Sequence, residues 1–396
     1  MAVIIKRNIE PILLRAASQY PAVAVLGPRQ SGKTTLVQNC FPDYSYVSMA
    51  DIDSRIRAQE DPRKFFDMYQ QAKGLIIDEM QEVPELFSYM QGVVDRSQKA
   101  GFFIITGSSN FLLMKNITQS LAGRIAILEL LPLSLDELTQ AGLQTESLEQ
   151  SLVKGFYPRL YAQNFDASSW YGNYITTYLE RDVRQLINVG DVVSFQKFLK
   201  LCAARVGNLL NYSEIARDCG VSANTVKSWI SILETSYIVK LLHPYYKNFS
   251  KRMVKSPKIY FYDVGLVCRL LDLQDPQELH THPMRGALVE NLVINDIAKY
   301  YLNQGQKPQL YFWRDVQGHE IDCIIEKTYD QAIAVEIKAS MTVLPRFYKE
   351  IVDWNEISGQ GGTGYIVYAG DQILTGSQAH IVPWNKVSGM LEEIKK

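Results

Sequence analysis

The sequence predicts an α/β protein that opens on a parallel sheet, and three observations carry that prediction. An apolar run from Ala22 to Leu26 feeds a glycine-bearing loop that leads into a helix. Two more apolar runs, GLIIDEMQ and FFIITGSSN, end in acidic or polar residues where a parallel sheet presents its carboxyl edge. The spacing Gly27-x-x-x-x-Gly32-Lys33-Thr34 completes the pattern, because strand, loop and helix follow in the order a phosphate cradle requires.

The chain has 396 residues, more than one hydrophobic core accommodates, so two to four units of roughly 100–200 residues each are expected. Its hydrophobic share of 47% and charged share of 21% exclude a disordered chain. A net charge of −1 gives no global pull on nucleic acid, so any such contact has to come from a local basic surface. Cys40, Cys202, Cys219, Cys268 and Cys323 stand singly, without CxxC pairs, which points to free thiols in a reducing cytosol rather than to disulfides or zinc. No run approaches a spanning helix, so a cytoplasmic location without membrane contact is expected.

In the loop Gly27, Pro28, Arg29, Gln30, Ser31, Gly32, Lys33, Thr34 and Thr35, the two glycines let the backbone curl so that its N–H groups face phosphate oxygens. Lys33 adds a cation for the outer phosphates and Thr34 a hydroxyl for Mg²⁺, while the following helix offers the positive end of its dipole. Asp78 ends its strand placed to hold Mg²⁺ through water, and Glu79 beside it is placed to orient or deprotonate an attacking water. Asn110, after the third strand, is either a γ-phosphate sensor or part of a simple turn. No NKxD string occurs, which favours ATP over GTP.

With GPRQSGKTTL, IIDEMQEVPEL, TGSSNFLL, LAGRIAILELLPLSLDEL, GFYPRLY and YLERDVRQL in place, the chain resembles the bacterial and archaeal AAA-type ATPases that carry a C-terminal nuclease-like domain of unknown function. The resemblance covers nearly the whole chain. It implies Asn110 as the sensor and an arginine acting on a neighbour's nucleotide within a homo-oligomer, with Arg124, Arg181 and Arg184 as candidates. Each of these arginines has an equally ordinary use in an ion pair or as surface cover.

The expected organisation is an ATPase domain over 1–138, a helical lid or connector over 139–200, a winged helix-turn-helix over 201–262, a linker over 263–285 and a PD-(D/E)xK nuclease-like domain over 286–396. The fold class is thus an α/β P-loop parallel sheet with helices, followed by a winged helix and a restriction-endonuclease-like α/β domain. In the third unit Ser213 and Ser222 cap two helices around a turn at Gly220. That leaves Ser222, Asn224, Thr225 and Lys227 on an exposed front, and the following segment holds Lys251 and Arg252 among cations with no acid. Double-stranded DNA is one reading of that surface, and protein docking is the other.

In the last unit, period-two alternation places Glu320 with Asp322, and Glu336 with Lys338, on common strand faces. Asp322, Glu336 and Lys338 match the PD-(D/E)xK pattern and Glu290 matches its helix acid, a set able to gather a metal and activate water. The same residues on a wet sheet face, retained without cleavage, are the alternative. The chain is accordingly expected to bind ATP and Mg²⁺, to hydrolyse ATP slowly and to couple nucleotide state to DNA. Its rival is an ATP-gated scaffold with an inactive nuclease-like domain.

Overall fold

The computed structural model describes residues 4–97, 99–108, 117, 119–178, 192–245, 256–315, 318–328, 330–359 and 362–395. The first sheet comprises β1 (Ala22–Leu26), β2 (Ser45–Ser48), β3 (Leu75–Asp78), β4 (Phe103–Gly107) and β5 (Ile125–Glu129). All neighbours are parallel, in the order β2-β3-β4-β1-β5. The phosphate-loop strand is therefore interior, and the central β4 lies between it and the strand that ends in Asp78.

The three interior strands β1, β3 and β4 are buried at every position, which is why their runs are almost wholly apolar, whereas the edge strands β2 and β5 are partly exposed. The pleat sorts β1 by parity: Ala22, Ala24 and Leu26 enter one core with Phe87 and Met90, whereas Val23 and Val25 enter another with Leu13, Leu36 and Val37. The helix Glu10–Gln19 begins with Pro11 in its first turn, where the missing N–H costs nothing, and buries Leu13, Ala16 and Ala17. Ser134 and Glu137 close a reciprocal capping box at the start of the helix Leu135–Gln140, which anchors the segment leaving β5.

Beyond the first sheet, the helices Tyr212–Cys219 and Ala223–Thr235 are joined at Gly220, whose φ of 73° is the left-handed turn that a helix end followed closely by another requires. Asn211 caps the first of the pair and Ser222 the second; Ser213, expected as a cap, lies inside the first turn. The strand pair after these helices, β6 (Val239–Pro244) and β7 (Lys258–Phe261), is not a free-standing wing. It extends a seven-stranded sheet with β8 (Leu310–Arg314), β9 (Glu320–Thr328), β10 (Gln331–Lys338), β11 (Gly364–Tyr368) and β12 (Ala379–Pro383), in the order β12-β11-β10-β9-β8-β6-β7. The physical reason is the register of His243 and Pro244 against Tyr311 and Phe312, which satisfies a sheet edge that would otherwise stay open.

One apolar cluster runs from Leu133 through Trp170, Phe198, Trp229, Phe261 and Val293 to Ile394, so the connector, the helical pair and the last sheet share a core. The opposite face of that sheet packs Ile321, Ile324 and Ile366 against Phe347, Ile351 and Trp354. The helix Arg285–Leu302 lies in the shared core and is buried over most of its length. Two of its polar residues hold the backbone of β7: Asn291 accepts from the Phe261 N–H at 2.7 Å, and Asn295 donates to the Phe261 carbonyl at 2.5 Å. The five cysteines are free. Among the described residues no helix is long and apolar enough to cross a membrane.

Candidate nucleotide site

The loop after β1 is shaped by backbone that most side chains resist. Gln30 has φ 63° and Gly32 has φ 93°, both left-handed. A Cβ on Gly27 would stand 2.1 Å from the Leu130 carbonyl oxygen, so the β1–β5 spacing admits only glycine there. Gly32 precedes the helix Lys33–Cys40 and offers no side-chain cap, which leaves the first N–H groups directed at the loop's interior. The Ser31 hydroxyl is buried without a hydrogen-bond partner. Helix-end donors and an orphaned hydroxyl around a curled loop fit a polyanion.

Lys33 is only 5% exposed, and its ammonium donates to the carbonyls of Gly27 at 2.9 Å and Pro28 at 2.8 Å. Burial pulls its pKa from 10.5 down to about 8, opposed by the nearby Glu79 and Asp78 carboxylates. Thr34 donates its hydroxyl to both carboxylate oxygens of Asp78, at 3.1 and 3.0 Å. Asp78 also accepts from the Tyr46 hydroxyl at 2.9 Å and from Thr106 on the intervening β4. A threonine hydroxyl and a carboxylate meeting beside a phosphate loop are the hard oxygen donors that Mg²⁺ takes, so the residues present fit ATP with Mg²⁺.

Glu79 follows β3 with φ 55°, a left-handed conformation that turns it toward the loop. Its carboxylate accepts from the Ser108 hydroxyl at 3.1 Å and from Gln81. Glu79, Arg29, Gln30, Gly32, Lys33, Thr34 and Thr35 line one cleft of about 900 Å³ together with Arg7, Pro158 and Arg159. Arg29 also lies 5.2 Å from the Tyr178 ring centroid, a cation–π distance.

Several of these neighbours lie outside the motifs. Arg7 is 6% exposed and spends its guanidinium on the Ser31 carbonyl at 2.7 Å, the Leu131 carbonyl at 2.7 Å and Glu137 at 3.0 Å. It therefore ties the phosphate loop to the capping box 130 residues away. Arg159 belongs to GFYPRLY, but its approach to the cleft follows from the packing of Pro158 near Gly32.

The candidate arginines fare differently. Arg124 is paired with Asp95 at 2.5 and 3.2 Å and does not line the cleft. Arg181 and Arg184, as well as Asn110, Lys251 and Arg252, lie outside the described residues. On the helical pair, Ser222 is exposed and serves as the cap, accepting from the Thr225 N–H at 3.1 Å. Asn224 and Lys227 are exposed, Thr225 is half-buried, and the Lys227 ammonium stands 5.6 Å from the Tyr212 ring centroid.

Where the helix Arg285–Leu302 crosses the last sheet, Glu290 is brought into one electrostatic cluster with Asp322, Glu336 and Lys338 of the strands. Asp322 accepts from the Ile337 N–H at 2.8 Å, and Glu336 accepts from Lys338. A residue not expected there joins them: Lys258, from the basic segment, pairs with Glu290 at 3.0 Å and with Glu320. Burial, then the Asp322 charge, pushes the Glu290 and Glu336 carboxyls upward. Among the described residues no three His, Cys, Asp or Glu side chains converge in an arrangement that would hold a metal ion.

Comparison with known proteins agrees with the first site. Residues 19–139 match a family model described as an AAA domain. Residues 145–277 and 285–387 match two models described as domains of unknown function, DUF8612 and DUF4143. An uncharacterized protein of Mycobacterium tuberculosis is 32% identical over 341 residues, spanning 85% of this chain and 74% of the relative, and one of Mycobacterium bovis matches to the same extent. Among solved structures, a Walker-type ATPase of Pyrococcus abyssi is similar with a TM-score of 0.45 and 15% identity, over 67% of this chain and 96% of that one.

Proposed function

We propose, for a chain that belongs to the same family as these two mycobacterial relatives and matches an AAA-domain model over residues 19–139, that it is a Mg²⁺-dependent ATP-binding protein and slow ATPase. The observation that carries the reading is the meeting of Thr34 with Asp78 beside a buried Lys33 at the start of a helix. In this reading Lys33 exchanges its two carbonyl partners for phosphate oxygens, and the loop N–H groups orient the triphosphate. Thr34 and Asp78 hold Mg²⁺, which neutralises charge developing on the phosphates. Glu79, steadied by Ser108 and Gln81, orients the water and takes its proton.

The helical pair supports a second half of the reading, in which nucleotide state is coupled to contact with double-stranded DNA in a homo-oligomer. Asn224 and Lys227 sit on its exposed helix, as a groove-reading surface requires. The alternative, an ATP-gated scaffold whose nuclease-like domain does not cleave, is favoured by one observation: Lys258 already pairs with the acids of that domain.

The deciding experiment is nucleotide binding and turnover by purified protein. Lys33→Ala should abolish ATP binding, and Glu79→Gln should retain binding while losing hydrolysis. Unchanged turnover in Glu79→Gln would remove Glu79 from the proposed role. Intact supercoiled and linear DNA after incubation with Mg²⁺ or Mn²⁺ and ATP would leave the scaffold reading standing.

A further inference from the structure

Three hydroxyls converge on the Asp78 carboxylate. Thr34 donates to both oxygens, at 3.1 and 3.0 Å, Tyr46 donates to Oδ2 at 2.9 Å, and Thr106 donates to Oδ1. An ionised carboxylate offers about four lone-pair positions, and these contacts engage them all. Asp78 is 7% exposed. Of the described residues, Thr34 and Glu79 line the nucleotide cleft, but Asp78 does not. The carboxylate is thus shut behind its own donors, and one of them has to leave before an Asp78 oxygen can face a metal.

The three donors differ in how readily they leave. Thr106 is fully buried on β4, between two strands, where a hydroxyl turned away from Asp78 would be left unpaired in the core. Thr34 lies in the first turn of the helix Lys33–Cys40 and lines the cleft, so its oxygen can face a metal while its proton stays on Asp78. Tyr46 is different. It sits on β2, the edge of the sheet, and is 42% exposed. Its backbone pairs with Ile76, two residues before Asp78, so the side chain runs along the strand to reach the carboxylate. Rotation about its own side-chain bonds returns the hydroxyl to water, where it is hydrogen-bonded again.

We propose that Tyr46 is a placeholder at the metal site: its hydroxyl holds the Asp78 oxygen in the nucleotide-free protein and yields it when Mg²⁺ enters with ATP. Tyr46 thereby keeps Asp78 aimed and satisfied without metal, and it raises the Mg²⁺ concentration at which the site fills. Thr106, which stays in place, has the opposite effect, because it only steadies the carboxylate. The inference rests on the nucleotide reading above and adds to it a residue outside both the phosphate loop and the acidic pair.

Mn²⁺ uptake by the full chain in one-to-one complex with a non-hydrolysable ATP analogue tests it, read from the paramagnetic resonance signal of the metal, so that no turnover enters the measurement. Tyr46→Phe, which keeps the ring and removes the hydroxyl, should take up Mn²⁺ about three- to tenfold more tightly than the parent. Thr106→Val should take it up more weakly. Equal or weaker uptake by Tyr46→Phe overturns the proposal, because a residue that merely steadies Asp78 would act with the sign of Thr106→Val. Should Tyr46→Phe melt far below the parent, the tightening must appear in Tyr46→Leu, and its absence there overturns the proposal as well. Asp78→Asn separates this inference from the reading it rests on. If the parent takes up Mn²⁺, Asp78→Asn does not and Tyr46→Phe matches the parent, the placeholder role alone falls; a parent that takes up no Mn²⁺ with the analogue removes both.

Discussion

Arg7 and Glu137 meet at 3.0 Å, both buried, although 130 residues separate them. The same arginine holds the Ser31 carbonyl of the phosphate loop, and the same glutamate closes the capping box with Ser134. The helix Arg285–Leu302 reaches this junction as well: Asp296 accepts from the Leu135 N–H at 2.9 Å, and Lys299 donates to the Leu133 carbonyl at 2.8 Å. The phosphate loop and the helix that carries Glu290 are thus fastened to opposite sides of one short segment.

Removing one member of such a buried pair leaves the other charge uncompensated, at a cost of about 3–5 kcal/mol. Arg7→Ala should lower the urea midpoint accordingly and weaken ATP binding through the released Ser31 carbonyl. Arg7→Met with Glu137→Met, which removes both charges, should recover much of the stability but not the affinity. Denaturant titration alongside nucleotide binding checks both parts.

Nucleotide affinity should fall steeply with alkalinity. Burial lowers the Lys33 pKa from 10.5 to about 8, so above that pH the free protein carries a neutral amine where a phosphate needs a cation. Affinity is expected to drop by up to about tenfold per pH unit above pH 8, with little change below pH 7. The sign for folding is opposite. Between pH 8 and 10.5 the unfolded chain binds the proton that the folded chain has released, so stability of the nucleotide-free protein should rise from this group as pH increases. Binding curves and melts across pH 6.5–10 would check both directions against Lys33→Ala, in which the melt dependence should flatten.

Two glycines with positive φ should respond differently to alanine. Gly27→Ala drives a methyl to 2.1 Å from the Leu130 carbonyl oxygen, and backbone must move to relieve it. Gly220 meets nothing within 4 Å, so its alanine variant pays only the left-handed conformation, about 1–2 kcal/mol. Thermal melts should therefore show the larger loss at Gly27, together with loss of ATP binding there alone.

On the helical pair, Lys227→Ala should weaken DNA binding uniformly across sequences and reduce the salt slope by about one. Ser222→Ala should instead cost about 1 kcal/mol of stability, because that hydroxyl caps the helix at the Thr225 N–H. Salt-insensitive binding would favour a protein partner for this surface.

Thr106→Val keeps the shape of β4 but removes the hydroxyl that Asp78 accepts from on the intervening strand. With its Thr34 and Tyr46 contacts intact, Asp78 should still support ATP binding, but with a raised Mg²⁺ requirement. A Mg²⁺ titration of turnover measures the shift.

The phosphate loop was legible in the sequence because its chemistry is local: glycine conformation, a helix start and a lysine all lie within nine residues. The three interior parallel strands were equally legible, since burial on both faces leaves apolar runs. The helix-turn-helix spacing could be read from Gly220 and from the cap at Ser222 for the same reason. Contacts between distant segments had no such trace. Lys258 looked like one more cation in an acid-free stretch, because the acids it meets come from a helix and a strand further along the chain. Arg7 gave no sign of its task, since the carbonyls it holds belong to backbone that any sequence carries. Strands β6 and β7 read as a separate wing because pairing across a sheet edge depends on register with β8, more than sixty residues from β6, and on none of their own side chains. Local backbone preference and burial pattern thus determined the elements and the nucleotide loop, whereas long-range hydrogen bonding and charge pairing, which act between residues the chain keeps apart, decided which of those elements share a sheet and which charges face each other.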